Sequence, residues 1–461
     1  MQIQKKHSVF NKSKRKHILM ITNHGCHAPV IEVTTDTAGQ NFYMNDFSSV
    51  LVKLGYKVTM LNRGGYDHPV TGDLQKGIVY YDKVWGKRGI YCRLIYLEDA
   101  ENRFIAKERL KKHNLAQERD FFFELARKID LNLKQVYFIS SHYWDGGVLG
   151  ILINEELKDK HNHHIPHIWT PHSLGILKRE NLRKASKRIV KALNFPSRIR
   201  NEEKIISQVE GVVSTSNKIS AILATEYESR VKNHLWFPPG VDINVFKPRR
   251  INQCERGLKV LEETLSINKE EVINLVKRNI VFLEAGRTAK SKQKDMILSS
   301  FSQIENENQA LLIMNVDPEV KAYERIKKVY TSLKNRKNIL LVEKYLMEEE
   351  IAQVFSLANV YVTASLMEGW GMAVQEAAAS KCAIISSKYV PFATESLKDN
   401  ALLVNKNKAR LYAEKMDIMI QEPHLREKLA NKSYKIVTAH YSWSALSRRL
   451  IKKMKERRIV Y

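Results

Sequence analysis

Cysteine is scarce in this chain, long apolar runs are missing, and acidic residues are outnumbered. The 461 residues include four cysteines, Cys26, Cys92, Cys254 and Cys382. They are scattered with no C-x-x-C pair, which fits neither a disulfide framework nor a zinc site, so they read as reduced thiols. The longest apolar stretches, such as 136–140 and 338–342, are strand-sized against the ~18 residues that a membrane helix needs, which excludes a chain that crosses a bilayer by helices. The basic start (Lys5, Lys6, Lys12, Lys14, Arg15, Lys16) is followed by an apolar run, 18–21, too short for a signal-peptide core and without a small-residue cleavage site; a cytoplasmic protein is expected. Three nucleotide signatures are absent as well. With no G-x-x-x-x-G-K-[ST] loop and no complete G-x-G-x-x-G after a strand, neither a P-loop NTPase nor a standard dinucleotide oxidoreductase is supported. With no Asp-x-Asp pair to hold a metal on a diphosphate, diphosphate chemistry here should use protein cations and no metal.

What is present is ordinary globular composition, 44% hydrophobic and 27% charged, which argues against a disordered chain. The length exceeds what one compact core usually holds and predicts two domains. Lys and Arg number 76 against 50 Asp and Glu, a formal net charge of +26, which suggests an anionic partner: a phosphorylated substrate, an acidic lipid surface or nucleic acid.

Periodicity predicts a βαβ opening, with strand 17–22, helix 38–54 and strand 57–61, followed by strands at 136–140, 165–170, 211–215 and 235–237. Pro238-Pro239-Gly240 breaks both patterns and places a linker there. Alternation then restarts with strands 280–284, 310–314, 339–342 and 360–363, separated by helices 295–304, 319–333 and 348–356. Helix-length crossovers between strands mean parallel sheets, which bind ligands at the carboxyl ends of their strands. The fold class is therefore α/β, two Rossmann-like, doubly wound domains facing a cleft. Amphipathic helices, rich in Arg and Lys, are expected at 423–440 and 442–455.

The stretch 368–376, E-G-W-G-M-A-V-Q-E, runs from a strand into the alanine-rich start of a helix (Ala377, Ala378, Ala379). Gly369 and Gly371 allow a tight turn that exposes N–H groups at the helix N-terminus, a seat for hydroxyl and phosphate oxygens. Glu368 and Glu376 stand at different depths. Carboxylates only accept hydrogen bonds, which suits the vicinal hydroxyls of a sugar and a ribose. The tract His161, His163, His164 and His167 has no accompanying cysteine or carboxylate and reads as a solvated loop, not a metal site.

This stretch resembles the E-x7-E element of the retaining glycosyltransferases of family four, which have the GT-B fold, and the resemblance extends over nearly the whole chain. Ala285-Gly286-Arg287 with Lys292 is similar to the family's arginine and lysine pair that grips the donor diphosphate, where two cations past a strand end would neutralise the departing nucleoside diphosphate. Pro238-Pro239-Gly240-Val241-Asp242 with Phe246 and Pro248 resembles the family's linker. Within the family, Asp36-Thr37-Ala38-Gly39-Gln40 and Thr170-Pro171-His172-Ser173-Leu174-Gly175 are most similar to segments of the sucrose-phosphate and mannosylfructose-phosphate synthases. Ala38 stands where that subgroup usually has glycine.

The resemblance implies a metal-independent, retaining hexosyltransferase with no cofactor beyond a UDP- or GDP-linked sugar as co-substrate. Residues 1–237 would form the acceptor domain, rejoined by the helix 442–461, and residues 238–441 the nucleotide-sugar domain. His172, Arg287, Lys292 and Glu368 would serve the reaction. Gly39, Arg287, Lys292, Gly369, Trp370, Gly371, Met372 and Glu376 would hold the donor. Gln40, Lys107, Lys178, Arg198 and Arg200 would hold a sugar or sugar-phosphate acceptor. Two alternatives remain open: a transferase acting on a lipid-linked or surface glycan, its basic N-terminal half peripheral to an anionic membrane, and a non-catalytic basic binding protein on the same fold. Nucleic acid is not the expected partner.

Overall fold

A computed structural model describes residues 2–25, 27, 39–68, 72–181, 193–227, 231–334, 336–366 and 368–461. The chain divides into two compact units, one of Met1–Pro238 with Leu446–Tyr461, the other of Pro239–Ala445. Both are α/β with largely parallel sheets.

The first unit holds β1 (His17–Ile21), β2 (Lys57–Arg63), a hairpin of β3 (Tyr66–Asp67) and β4 (Leu74–Gln75), then β5 (Ile78–Tyr80), β6 (Cys92–Leu97), β7 (Val136–His142), β8 (His167–Thr170), β9 (Gly211–Ser214) and β10 (His234–Trp236). Apart from the hairpin these form one sheet, β10-β9-β8-β7-β1-β2-β6-β5, in which only β5 runs antiparallel to its neighbour. Every residue of β1, β2 and β6 is buried, as expected of parallel strands covered by helices on both faces. Strand order reverses between β1 and β7, and such a switch point opens a crevice at the carboxyl ends of the strands. The helix Tyr143–His161 closes tightly on this sheet, because a Cβ at Gly147 would lie 2.9 Å from Trp169 and 2.6 Å from Ile205.

The second unit holds β11 (Ile280–Glu284), β12 (Ala310–Val316), β13 (Ile339–Glu343), β14 (Val360–Thr363), β15 (Ala383–Ser387) and β16 (Leu402–Val404). They form an all-parallel sheet, β13-β12-β11-β14-β15-β16. Its order reverses between β11 and β14. Phe282, Leu312, Val362 and Ile385 from four of these strands share one buried cluster with Phe301, Met416 and Leu429 from the covering helices.

Several elements were not legible from periodicity. Strand β6 reads CRLIYL, in which Arg93 interrupts the apolar run, yet the arginine is itself fully buried. The helix Gln2–Lys12 has a single buried residue, Phe10. The Lys57 ammonium holds its C-terminal end by donating to the carbonyl oxygens of Phe10, Asn11 and Ser13 at 3.1, 3.3 and 3.0 Å. Helices Glu255–Leu265 and Lys269–Arg278 precede β11, and strands β15 and β16 follow the helix Met372–Ala379. One expectation is corrected outright. His167 fell under both the strand 165–170 and the solvated-loop reading, and only the strand holds there: it opens β8 with its imidazole buried 2.5 Å from Ser141 Oγ. Among the described residues no helix is long and apolar enough to cross a membrane.

Candidate active site

In the second unit the site is built by loops at the carboxyl ends of β11 and β14, the two strands that flank the switch point. After β11, Arg287 is exposed, and Lys292 lies in a short helical turn, Lys290–Lys292, with its side chain largely buried. After β14, Glu368 accepts from the Lys292 ammonium and from Ser365 Oγ at 2.9 Å. The two loops are also joined by Leu366 N–H donating to the Ser291 carbonyl at 2.8 Å. Glu376 sits in the helix Met372–Ala379. Burial, reinforced by the Glu348 carboxylate and opposed by Lys292, pushes its carboxyl up to about 7.

The glycines and the tryptophan of the loop divide the work differently from the sequence expectation. Gly371 caps the helix with φ of 110°, and a Cβ there would lie 2.3 Å from Val390, so both backbone and space demand glycine. Gly369 is exposed and outside the left-handed region, and a Cβ there would have no other atom within 4 Å; the tight turn belongs to Gly371 alone. The Trp370 side chain faces the interior, which leaves its backbone N–H as the group a donor could meet. The ring is buried against Phe392 and Tyr441 and donates to Gln375 Oε1 at 3.0 Å. Gln375 in turn donates to the carbonyls of Pro239 and Tyr441, both at 3.1 Å. Met372 is half-buried at the first helical position.

Sequence reasoning missed the support beneath the cation loop. Glu284 and Lys294 form a fully buried ion pair at 2.7 Å, and Lys294 also donates to the Asn315 carbonyl. The signal was a carboxylate ending an otherwise apolar strand, where a buried charge requires a partner.

In the first unit, residues again gather at the switch point. His172 follows β8 with φ of 52°, and its Nε2 lies 2.8 Å from His142 Nδ1 at the end of β7. Its ring meets Tyr43 edge-on at 4.8 Å. Burial, with a smaller push from His24, lowers the His172 imidazole to about 3, so it is neutral at physiological pH. His24, in the loop after β1, faces the buried Asp145 carboxylate at 2.8 Å. Gly39 opens the helix Gly39–Lys53, and Gln40 donates to Thr22 Oγ1 at 2.9 Å. Asp36, Thr37 and Ala38 lie outside the described residues.

The cations expected on the acceptor side are not equivalent. Arg198 and Arg200 share the helix Phe195–Gln208, where a two-residue step turns them to different faces. Arg198 is buried and spent on the protein: it donates to Glu202 at 2.8 Å, Tyr143 OH at 2.7 Å and the Ser173 carbonyl at 2.5 Å. Glu202 also accepts from Gly175 N–H at 2.9 Å. Arg198 therefore anchors the segment that carries His172 and does not offer a free charge. Lys178 is shared with Glu108 at 3.6 Å, and Lys107 lies 5.7 Å from the centre of the Tyr143 ring. Arg200 is exposed, with no carboxylate at ion-pair distance among the described residues. A small pocket lined by Glu108, Tyr143, Lys178, Phe195, Arg198 and Asn201 lies among them. Among the described residues no three His, Cys, Asp or Glu side chains group to hold a metal ion.

Comparison with known proteins agrees with this architecture. Residues 266–436 match the family described as Glycosyl transferases group 1. The chain is 29% identical over 377 residues to the mannosylfructose-phosphate synthase of Agrobacterium fabrum, covering 79% of this chain and 74% of that one. It is 22% identical over 443 residues to a probable sucrose-phosphate synthase of Thermosipho melanesiensis, covering 92% of each. Among solved structures, the sucrose-phosphate synthase of Thermosynechococcus elongatus superposes with a TM-score of 0.68 at 22% identity, covering 96% of this chain and 99% of that one. HepE of Anabaena, in complex with UDP and glucose, does so with a TM-score of 0.62 at 12% identity, covering 96% of this chain and all of that one. The two units are those of the GT-B fold. The chain carries a glycosyl transferases group 1 domain and is a glycosyltransferase.

Proposed function

We propose that the enzyme moves a hexose from a nucleoside diphosphate sugar, UDP- or GDP-linked, to a sugar phosphate, with retention at the anomeric carbon and without a metal. The observation that carries this reading is the meeting of Lys292 and Glu368 across the loops of β11 and β14, with Arg287 and Glu376 on the same two loops and the helix that follows. A diphosphate entering there would exchange the Lys292–Glu368 contact for its own charge on Lys292 and Arg287, leaving Glu368 free to accept from the sugar's hydroxyls. Glu376 would accept from the ribose, and the N–H groups at Gly371 and Met372 would face the sugar or phosphate. Of Lys107, Lys178, Arg198 and Arg200, Lys107 and Arg200 are in no ion pair among the described residues and Lys178 is only partly neutralised, and these three would take the acceptor phosphate. The names of the two relatives, mannosylfructose-phosphate synthase and probable sucrose-phosphate synthase, support the same class of acceptor.

In the reaction the acceptor hydroxyl attacks the face the leaving group departs from, and a donor phosphate oxygen takes its proton. The C–O bond to the diphosphate breaks as the new C–O bond forms, so no enzyme nucleophile is required. The protein's work is to position the two substrates and to stabilise the diphosphate's growing charge. The neutral His172 imidazole would hydrogen-bond a sugar oxygen.

The test is release of nucleoside diphosphate from a panel of UDP- and GDP-linked hexoses, with fructose 6-phosphate, other hexose phosphates or the free sugars as acceptors, with and without excess EDTA. One donor should support release that a sugar phosphate stimulates more than the free sugar does, chelator should leave it intact, and the product should keep the donor's anomeric configuration by NMR. Silence across the panel, an inverted product, or activity lost to EDTA and restored by Mg²⁺ would each overturn the corresponding part. Turnover only with an acceptor carried on anionic vesicles would move the basic surface to a membrane role.

A further inference from the structure

The strand ends at the switch point of the first unit form a three-residue chain that no motif in the sequence announces. Ser140 Oγ lies 3.0 Å from His142 Nε2, and His142 Nδ1 lies 2.8 Å from His172 Nε2. Ser140 and His142 are fully buried, and the two imidazoles are stacked with centroids 5.1 Å apart. Tyr43 braces both rings, 5.9 Å from His142 and 4.8 Å from His172. The left-handed backbone at His172, φ 52°, costs free energy in a residue with a Cβ and persists only where surrounding contacts hold it.

Counting hydrogens along the chain decides its direction. Both imidazoles are held neutral, His172 by burial and His24, His142 by burial and His172, so each ring carries one N–H. If His142 donated from Nε2 to Ser140, the Ser140 hydroxyl hydrogen would have no acceptor, because its oxygen has no second partner among the described residues. A buried donor left unmade is costly. In the other direction every hydrogen is placed. Ser140 O–H donates to His142 Nε2, His142 Nδ1–H donates to His172 Nε2, and the His172 hydrogen sits on Nδ1. His172 is half-buried, and its Nδ1 has no partner among the described residues.

We propose that Ser140 and His142 are positioning residues that fix the His172 tautomer, so that His172 presents an Nδ1–H donor to a substrate oxygen. This rests on the reading of His172 as a substrate-contacting group. With the opposite tautomer Nδ1 would be an acceptor and would compete with the donor phosphate for the acceptor hydroxyl's proton. A donor at this point can instead hold an oxygen of the transferred sugar or of the acceptor.

The experiment combines NMR and kinetics on the full chain. Imidazole ¹⁵N shifts of labelled enzyme, with His172 assigned from a His172→Gln spectrum, should show His172 protonated at Nδ1 and unprotonated at Nε2. His142→Phe keeps a buried planar ring but removes both nitrogens. It should lower kcat roughly ten- to a hundredfold with donor KM little changed, and release His172 to a tautomer mixture. Ser140→Ala removes only the terminal lock and should give a smaller loss of kcat with the same spectral mixing, which keeps the test available if His142→Phe does not fold. A His172 protonated at Nε2 in the parent enzyme, or full kcat with an unmixed His172 tautomer in both variants, would overturn the proposal. Full activity in His172→Gln would instead overturn the reading of His172 on which it rests.

Discussion

At the scale of single residues, Glu376, proposed to hold the donor's ribose, offers a test in which the sign is fixed in advance. Burial holds the Glu376 carboxyl near 7, raised from 4.5, so the empty site is substantially protonated below neutrality. In the proposed role Glu376 accepts from ribose hydroxyls, and the ionised carboxylate is the stronger acceptor. Donor affinity, measured by calorimetry, should therefore rise with pH up to about 7, by at most about tenfold per unit, and level off above. Glu376→Gln should bind weakly and without this slope. Because the native state holds this proton more tightly than the unfolded chain does, Glu376 lowers the stability of the free enzyme as pH rises from 4.5 to about 7. The Gln variant should gain in Tm relative to the parent at pH 8 compared with pH 4.5. Affinity that falls with pH would show that the carboxyl binds as a donor.

The two arginines of the helix Phe195–Gln208 should separate folding from recognition. Arg198→Ala strands the buried Glu202 carboxylate, a loss on the order of 3 kcal/mol, and should lower Tm visibly while disturbing the His172 segment. Arg200→Ala removes an exposed cation that has no ion-pair partner among the described residues. It should leave Tm and donor binding unchanged while raising KM for a sugar phosphate, with the free sugar affected less. If both variants leave acceptor kinetics unchanged, the phosphate is held elsewhere.

At the scale of elements, the loop that enters the helix Met372–Ala379 makes a contrast of its two glycines. Gly371→Ala puts a methyl group against Val390 at a strained φ; about 1–3 kcal/mol of stability should be lost, together with donor affinity. Gly369→Ala meets open space and should melt like the parent, so any rise in its donor KM reports ligand contact alone. Equal Tm losses in both would mean the loop differs from the one described. This loop also shows what a sequence can and cannot convey. Its strand, its glycines and the eight-residue spacing of its glutamates were all legible, because periodicity and backbone permissiveness are local. That Trp370 turns inward to Gln375, or that Arg198 is consumed by Glu202, depends on partners supplied by other segments, and no local pattern announces them. Buried polar residues were the main source of error. Arg93 hid β6, His167 was counted in a solvated histidine tract as well as in the strand 165–170, and the pairs Glu284–Lys294 and His24–Asp145 lay unnoticed, since polarity in a sequence is read as exposure. The Rossmann-like frame survived these errors because it rests on strand-sized apolar runs and helix-length crossovers.

At the scale of the whole molecule, each unit places its functional groups at its own switch point, β11/β14 in one and β1/β7 in the other. On the proposed assignment, the division of labour between donor and acceptor is a division between the two units, and hydrogen exchange can read it out. A bound nucleoside diphosphate sugar should protect 285–294 and 364–379, the loops and helix around Arg287, Lys292, Glu368 and Glu376, because ligand contact suppresses local opening there. A sugar phosphate should protect segments of the other unit around Lys107, Tyr143, Lys178 and Arg200, and its effect should shrink with added salt more than the donor's does, since surface cations are screened while the largely buried Lys292 is less so. The net charge of +26 supplies the control. If anionic vesicles protect the 107 and 200 regions as strongly as the sugar phosphate does, and the sugar phosphate's protection is lost at physiological ionic strength, the basic groups serve surface attraction and not a substrate pocket. Protection of the second unit by the sugar phosphate alone would place the acceptor beside the nucleotide and undo the assignment of one substrate to each unit.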